Sequence, residues 1–141
     1  MWWFYATLSA VFAALTALLA KLGIKGVDSN LATAIRTVVI LVLAWGIVFY
    51  QGTHHNLAKI SRFSLWFLIA SGVATGLSWL FYFKALQLGD VVRVGPIDKA
   101  SLGLATLLAV LFLGEQLTWQ IALGTALVIL GAIIVALSPS A

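Results

Sequence analysis

Leu31-Ala32-Thr33-Ala34-Ile35-Arg36-Thr37-Val38-Val39-Ile40-Leu41-Val42-Leu43-Ala44-Trp45-Gly46-Ile47-Val48-Phe49-Tyr50 carries one charge in twenty residues. A helix needs about 20 mostly apolar residues to cross the hydrocarbon core of a bilayer. Three further runs match that length without any charge: Trp2 to Ala20, Phe63 to Phe83 and Leu117 to Leu137. A fifth is of a different kind. Its purely apolar part, Ala100 to Leu113, is too short to span alone. It reaches full length only with Val91 to Lys99, which holds Arg93, Pro96, Asp98 and Lys99. The sequence therefore predicts an all-α integral membrane bundle of five transmembrane helices, a single domain over residues 1–141. The spans fall at about 2–22, 31–50, 63–84, 94–113 and 117–137, and the fourth is irregular at its Pro-containing start.

Composition agrees. Of 141 residues, 63% are apolar and 9% charged, and the mean hydropathy is +1.13. A soluble domain is nearer half apolar and a quarter charged. A water-soluble globule, a disordered chain, a collagen-like chain and a nucleic-acid binder with a basic surface are thereby excluded. The absence of cysteine excludes disulfides and thiolate metal sites. The first run lacks a positive n-region and is followed directly by Lys21, so it reads as a span and not as a cleavable signal peptide.

Punctuation between the runs is chemically legible. Gly23 and Gly26 end the first helix, and Asp28, Ser29 and Asn30 supply capping groups for the second. Gly114 ends the fourth and Thr118 caps the fifth. Five spans put the termini on opposite sides. Lys21, Lys25, Lys84 and Arg93 then share the C-terminal side, against Lys59 and Arg62 on the other, a four-to-two bias toward N-out, C-in. So small a bias also admits dual topology. Trp2, Trp3, Tyr5, Phe49, Tyr50, Trp66 and Trp119 read as an interfacial aromatic belt.

Polar residues inside the spans are the candidate functional groups. Ser71, Thr75, Ser78 and Tyr82 share one face of the third helix, and Ser9, Ala13, Thr16 and Ala20 make a small-residue stripe on the first. Asp98 and Ser101 add a polar pair on the fourth. Such stripes either pack helices closely or line a wet cavity. Gly72 and Gly76 form a GxxxG pair assigned to packing. Intramembrane charge costs about 2.5–3.5 kcal/mol on insertion scales, so each case needs a reason. Arg36 either snorkels to the interface or serves a polar cavity. Lys84 suits the negative end of the third helix, and Glu115 suits the start of the last. If Pro96 is the first residue of the fourth helix, Asp98 stands in its first turn and is favoured by the dipole. Lys99 beside it opposes the dipole and must reach water, an acid or a substrate. His54 and His55 are adjacent in a polar loop and chelate poorly, so no metal is expected. No HExxH, GxSxG or phosphate loop occurs. Neither catalysis nor a cofactor is expected.

Several segments resemble the drug/metabolite transporter superfamily. They are Lys84-Ala85-Leu86-Gln87-Leu88-Gly89-Asp90, Gly95-Pro96-Ile97-Asp98-Lys99, Leu113-Gly114-Glu115 and the Gly124…Gly131 spacing of the last helix. Ala20-Lys21-Leu22-Gly23 and Ala34-Ile35-Arg36-Thr37 resemble the first two helices of EamA-type domains, in the short five-helix bacterial and archaeal branch. Larger members hold two inverted five-helix repeats around a central cavity. This chain resembles one repeat, which implies a dimer of alternating-access halves, antiparallel if both copies are the same chain.

The resemblance implies a secondary transporter in a prokaryotic inner membrane that exports small amphipathic, amino-acid-like metabolites. Its partners would be a small-molecule substrate, the lipid bilayer and a second copy, with no nucleic acid. Substrate or coupling residues would be Lys99, Asp98, Arg36, Trp79, Tyr82, Ser78, Thr75, Ser71 and Ser101, with the helix broken at Gly95 and Pro96. Gly124 and Gly131 would make the dimer contact, as in the terminal helix of small multidrug resistance proteins. Two other readings stand beside this one: a non-transporting membrane subunit, and half of a lipid-carrier flippase.

Overall fold

Asp28 caps the second helix of the chain. Its backbone is extended and its Oδ1 accepts the Asn30 and Leu31 N–H groups at 2.9 and 3.1 Å. Those are donors that no helical carbonyl can take. The computed structural model describes residues 1–138 as helices joined by short turns, with no strand among the described residues. They are α1 (Trp2–Gly23), α2 (Ser29–Tyr50), α3 (Arg62–Leu88), α4 (Val91–Lys99), α5 (Ser101–Leu113) and α6 (Trp119–Ala136), with a 3₁₀ stretch at Thr53–Lys59 between α2 and α3. Five stretches are long and apolar enough to cross a membrane, α4 and α5 counting together as the 23 residues Val91–Leu113. Most large apolar side chains on them are exposed, as expected where the surrounding solvent is lipid. This is an all-α, five-span membrane protein.

The chain divides into two compact units: Leu19–Leu88, and Met1–Leu18 with the segment from Gly89 onward. In the first unit α2 packs on α3. Ser29 and Thr33 are buried on α2, Phe83 and Leu86 on α3. Small hydroxyl residues let two helices approach closely, and Thr33 satisfies its own hydroxyl by donating to the Ser29 carbonyl at 2.9 Å. The helix ends are tied across. Lys21 Nζ donates to the Leu86 carbonyl and Gln87 Nε2 to the Val27 carbonyl, both at 2.8 Å. The Leu86 carbonyl is one of the last in α3, where helical partners run out and a cation suits the dipole.

In the second unit α6 packs against α4 and α5. Ala132 is buried, and Gly103 is the point of close approach. A Cβ there would run into Ile129 Cδ1 and stand 3.0 Å from Ile129 Cγ1. Thr106 and Thr125 face each other with their hydroxyls 3.5 Å apart. Arg93 Nη2 reaches the Ser138 carbonyl at 3.2 Å. α5 ends at Gly114 in the left-handed conformation (φ 67°), and Thr118 Oγ1 accepts the Ile121 N–H to start α6.

The fourth span corrects the expectation that Pro96 opens a helix. α4 starts five residues earlier, at Val91 after Asp90, and Pro96 lies inside it. Proline normally pushes the residue before it out of helical geometry, through a clash with that residue's Cβ and N–H. Gly95 has no Cβ, so the helix continues. The interruption falls instead at Ala100, whose N–H bonds to the Ile97 carbonyl at 3.0 Å in a tighter turn. Two smaller corrections concern Lys84 and Glu115. α3 runs on to Leu88, leaving Lys84 a turn short of its end. Thr118, and not Glu115, caps α6, while the Glu115 N–H closes the end of α5 on the Ala109 carbonyl at 3.3 Å.

Candidate functional site

Arg36 is half-buried in the α2–α3 pair. Its guanidinium carbon lies 4.5 Å from the Phe83 ring centroid and 5.4 Å from that of Trp79. Trp79 and Phe83 stand four apart on α3, so one turn of that helix presents both rings. Arg36 sits seven residues into α2, about 10 Å along the axis. Phe83 and Trp79 sit five and nine residues before the end of α3, about 7–14 Å. The head group therefore lies against two rings that stand at about its own distance from the helix ends. No carboxylate pairs with it and it donates no hydrogen bond among the described residues. A planar cation with five donors is thus fixed by two ring faces and leaves its edges unused.

Asp98 and Lys99 come together as well, though differently from the expectation. Both stand in the last turn of α4, and Lys99 Nζ is 3.4 Å from Asp98 Oδ2. The argument that Lys99 opposes a helix dipole is overturned, because a cation at a helix C-terminus is favoured. The pair is long and open, with side chains 57% and 35% exposed, and such pairs contribute about 0–1 kcal/mol. Ser101 follows one residue beyond the interruption and is exposed.

The stripe of α3 splits. Thr75 donates to the Ser71 carbonyl at 2.9 Å, a local bond that satisfies its hydroxyl within the helix. Ser71, Thr75 and Ser78 are exposed, while Trp79 and Phe83 form the seam with α2. Gly124 and Gly131 have nothing within 4 Å of where a Cβ would stand, so that face of α6 is open. Phe83, Gly103 and the Thr106–Thr125 pair were not singled out in the sequence. Phe83 had a usable signal: it lies four residues after Trp79, on the same face of α3.

Five spans, a guanidinium held within one of them and a Pro-containing fourth span define a multi-pass membrane protein with polar groups placed along its helices. The chain belongs to the EamA-like transporter family, which matches residues 1–137. It is 48% identical over 135 residues to a protein of Sinorhizobium sp. named an uncharacterized transporter in the cobO 3′ region, covering 96% of each chain. No solved structure matches. The protein is a membrane transporter.

Proposed function

We propose that the whole chain acts as one five-helix domain of a secondary transporter. It exports small amphipathic, amino-acid-like metabolites across a prokaryotic inner membrane and works as a dimer by alternating access. Arg36 takes the substrate carboxylate, Trp79 and Tyr82 pack on its apolar part, and Ser71, Thr75 and Ser78 offer hydroxyls. Asp98 and Lys99, with the Ser101 hydroxyl near them in sequence, form a separate polar group, where a coupling proton exchanges. Gly95 and Pro96 allow α4 to deform, and the open face at Gly124 and Gly131 meets the second copy.

The observation that carries this reading is the unpaired Arg36 guanidinium between Trp79 and Phe83. An intramembrane cation without a counter-ion is costly, and a bidentate carboxylate is the ligand its geometry fits. The test is efflux of radiolabelled L-leucine and L-phenylalanine from proteoliposomes, with competition by the parent acids and by their methyl esters. The acids should compete and the esters should not. Equal competition would remove the carboxylate from the reading.

A competing reading has its own support. Lys21 and Arg93 both spend their side chains on backbone carbonyls, as anchors of a non-transporting subunit would. Under it, neutralising Arg36, Asp98 or Lys99 weakens assembly and leaves every solute flux unchanged.

A further inference from the structure

We propose that the N-terminal end of α2 and the neighbouring length of α3 form a binding site for a zwitterionic phospholipid of the ethanolamine type. A cleft of about 310 Å³ lies there, lined by the capping Asp28, by Ser29 and Asn30 of α2 and by Leu77, Phe81 and Lys84 of α3. All belong to one compact unit. The volume stands at the small end of ligand pockets, which run ~300–1,000 Å³. It accommodates a headgroup and the first carbons of a chain.

Three features choose the occupant. First, Ser29 is only 2% exposed and lines the cleft; its hydroxyl makes no hydrogen bond among the described residues and is not sealed off, so it is reached from the cleft. Second, the cleft holds one cation and one anion that do not pair. Among the described residues Lys84 makes no ion pair or hydrogen bond, and Asp28 uses only Oδ1 for the cap, with no partner on Oδ2. Because that carboxylate already takes the Asn30 and Leu31 amides, the helix end is not a net positive site. A lone phosphate would leave Asp28 facing it. A phosphate joined to an ammonium matches both charges: the phosphate accepts from Lys84 and Ser29, and the ammonium donates to Asp28 Oδ2.

Third, the remaining wall is apolar and open. Leu77 is 51% and Phe81 74% exposed. They lie on a membrane-spanning helix, roughly a third of a turn round from the hydroxyl stripe. Polar groups at the end of a span with an apolar wall running inward from them fit a lipid, whose chain continues along the wall. A soluble zwitterion would leave that wall uncovered. This inference needs only the membrane location, and it stands or falls apart from the transport reading.

The test is native mass spectrometry of the full chain with phosphatidylethanolamine and phosphatidylglycerol of identical acyl chains. L-leucine is added separately as the soluble zwitterion. Phosphatidylethanolamine should be retained in preference. Lys84→Gln and Asp28→Asn should each lower its retention roughly threefold, while Lys84→Arg and Lys25→Gln should not. Asn caps helices as well as Asp, so Asp28→Asn removes the charge without the cap. Equal retention of both lipids, or preference for phosphatidylglycerol, would overturn the proposal. So would retention indifferent to both neutralising variants, or displacement of the lipid by L-leucine. If either variant does not fold, the lipid preference of the unmodified chain decides the matter alone.

Discussion

Replacing Arg36 with leucine separates a functional charge from a structural one. Near the bilayer centre an arginine costs up to about 2.5–3.5 kcal/mol on insertion scales. The two ring contacts, at 4.5 and 5.4 Å, return about 0.5–2 kcal/mol together. Among the described residues no ion pair adds to that. The residue therefore sits at a net cost of roughly 0.5–3 kcal/mol, and leucine would still cover the faces of Trp79 and Phe83. Arg36→Leu should then melt higher, by about 2–4 °C per kcal/mol on the scale of soluble domains. It should also lose leucine efflux. The assay pairs far-UV circular dichroism melting in nanodiscs with efflux from proteoliposomes. Arg36→Lys keeps the charge but not the planar stack or the fork, so it should recover only part of the flux. A variant that melts several degrees lower while keeping efflux would refute the reasoning, because Arg36 would then be holding the helices together.

Gly103→Val should destabilise the chain by about 1–3 kcal/mol, read as a lower melting temperature, since its Cβ would meet Ile129. Gly124→Val opens onto free space, so it should leave monomer melting within about 0.5 kcal/mol; by abolishing cross-linked dimers it would place the second copy on that face. Thr118→Ala removes the cap of α6 and should cost about 0.5–2 kcal/mol in the same melt. Lys99→Gln should alter stability by no more than about 1 kcal/mol, because the pair it breaks is exposed; unchanged leucine efflux would take Lys99 out of the transport path. Single cysteines at Lys25 and at Asn56, probed in intact cells with an impermeant maleimide, should label on opposite sides; half-labelling of both would show two orientations of the chain.

The five spans were legible because each rests on one coarse quantity, the length of an apolar run, which a bilayer constrains tightly. The caps at Asp28 and Thr118 and the stop at Gly114 were legible for a related reason: the groups that satisfy a helix end lie within three residues of it. Pro96 was misplaced by the same local logic. Proline is common at the first helical position, but Gly95 before it removes the steric reason to start there, and Gly89-Asp90 already offered a stop followed by a cap.

The charged candidates show where sequence reasoning runs out. Whether Lys99 opposes or suits a dipole depends on which end of a helix it occupies, so one misplaced boundary reverses the sign of the argument. Arg36 was recognisable as an anomaly by charge alone. What fixes its head group is not: Trp79 and Phe83 lie more than forty residues away, and only the pairing of α2 with α3 brings them to its depth. Ser29 and Thr33 are buried on α2, and their smallness reads in the sequence as capping or packing chemistry without naming the partner helix. An intramembrane cation is thus easy to find and hard to interpret. Its meaning depends on the counter-charge, and for Arg36 the described residues supply two aromatic faces and no carboxylate. A ligand that brings its own carboxylate would lower the energy of the site on binding and raise it again on leaving. A transport site requires that asymmetry, whereas a permanent anchor would be built to avoid it.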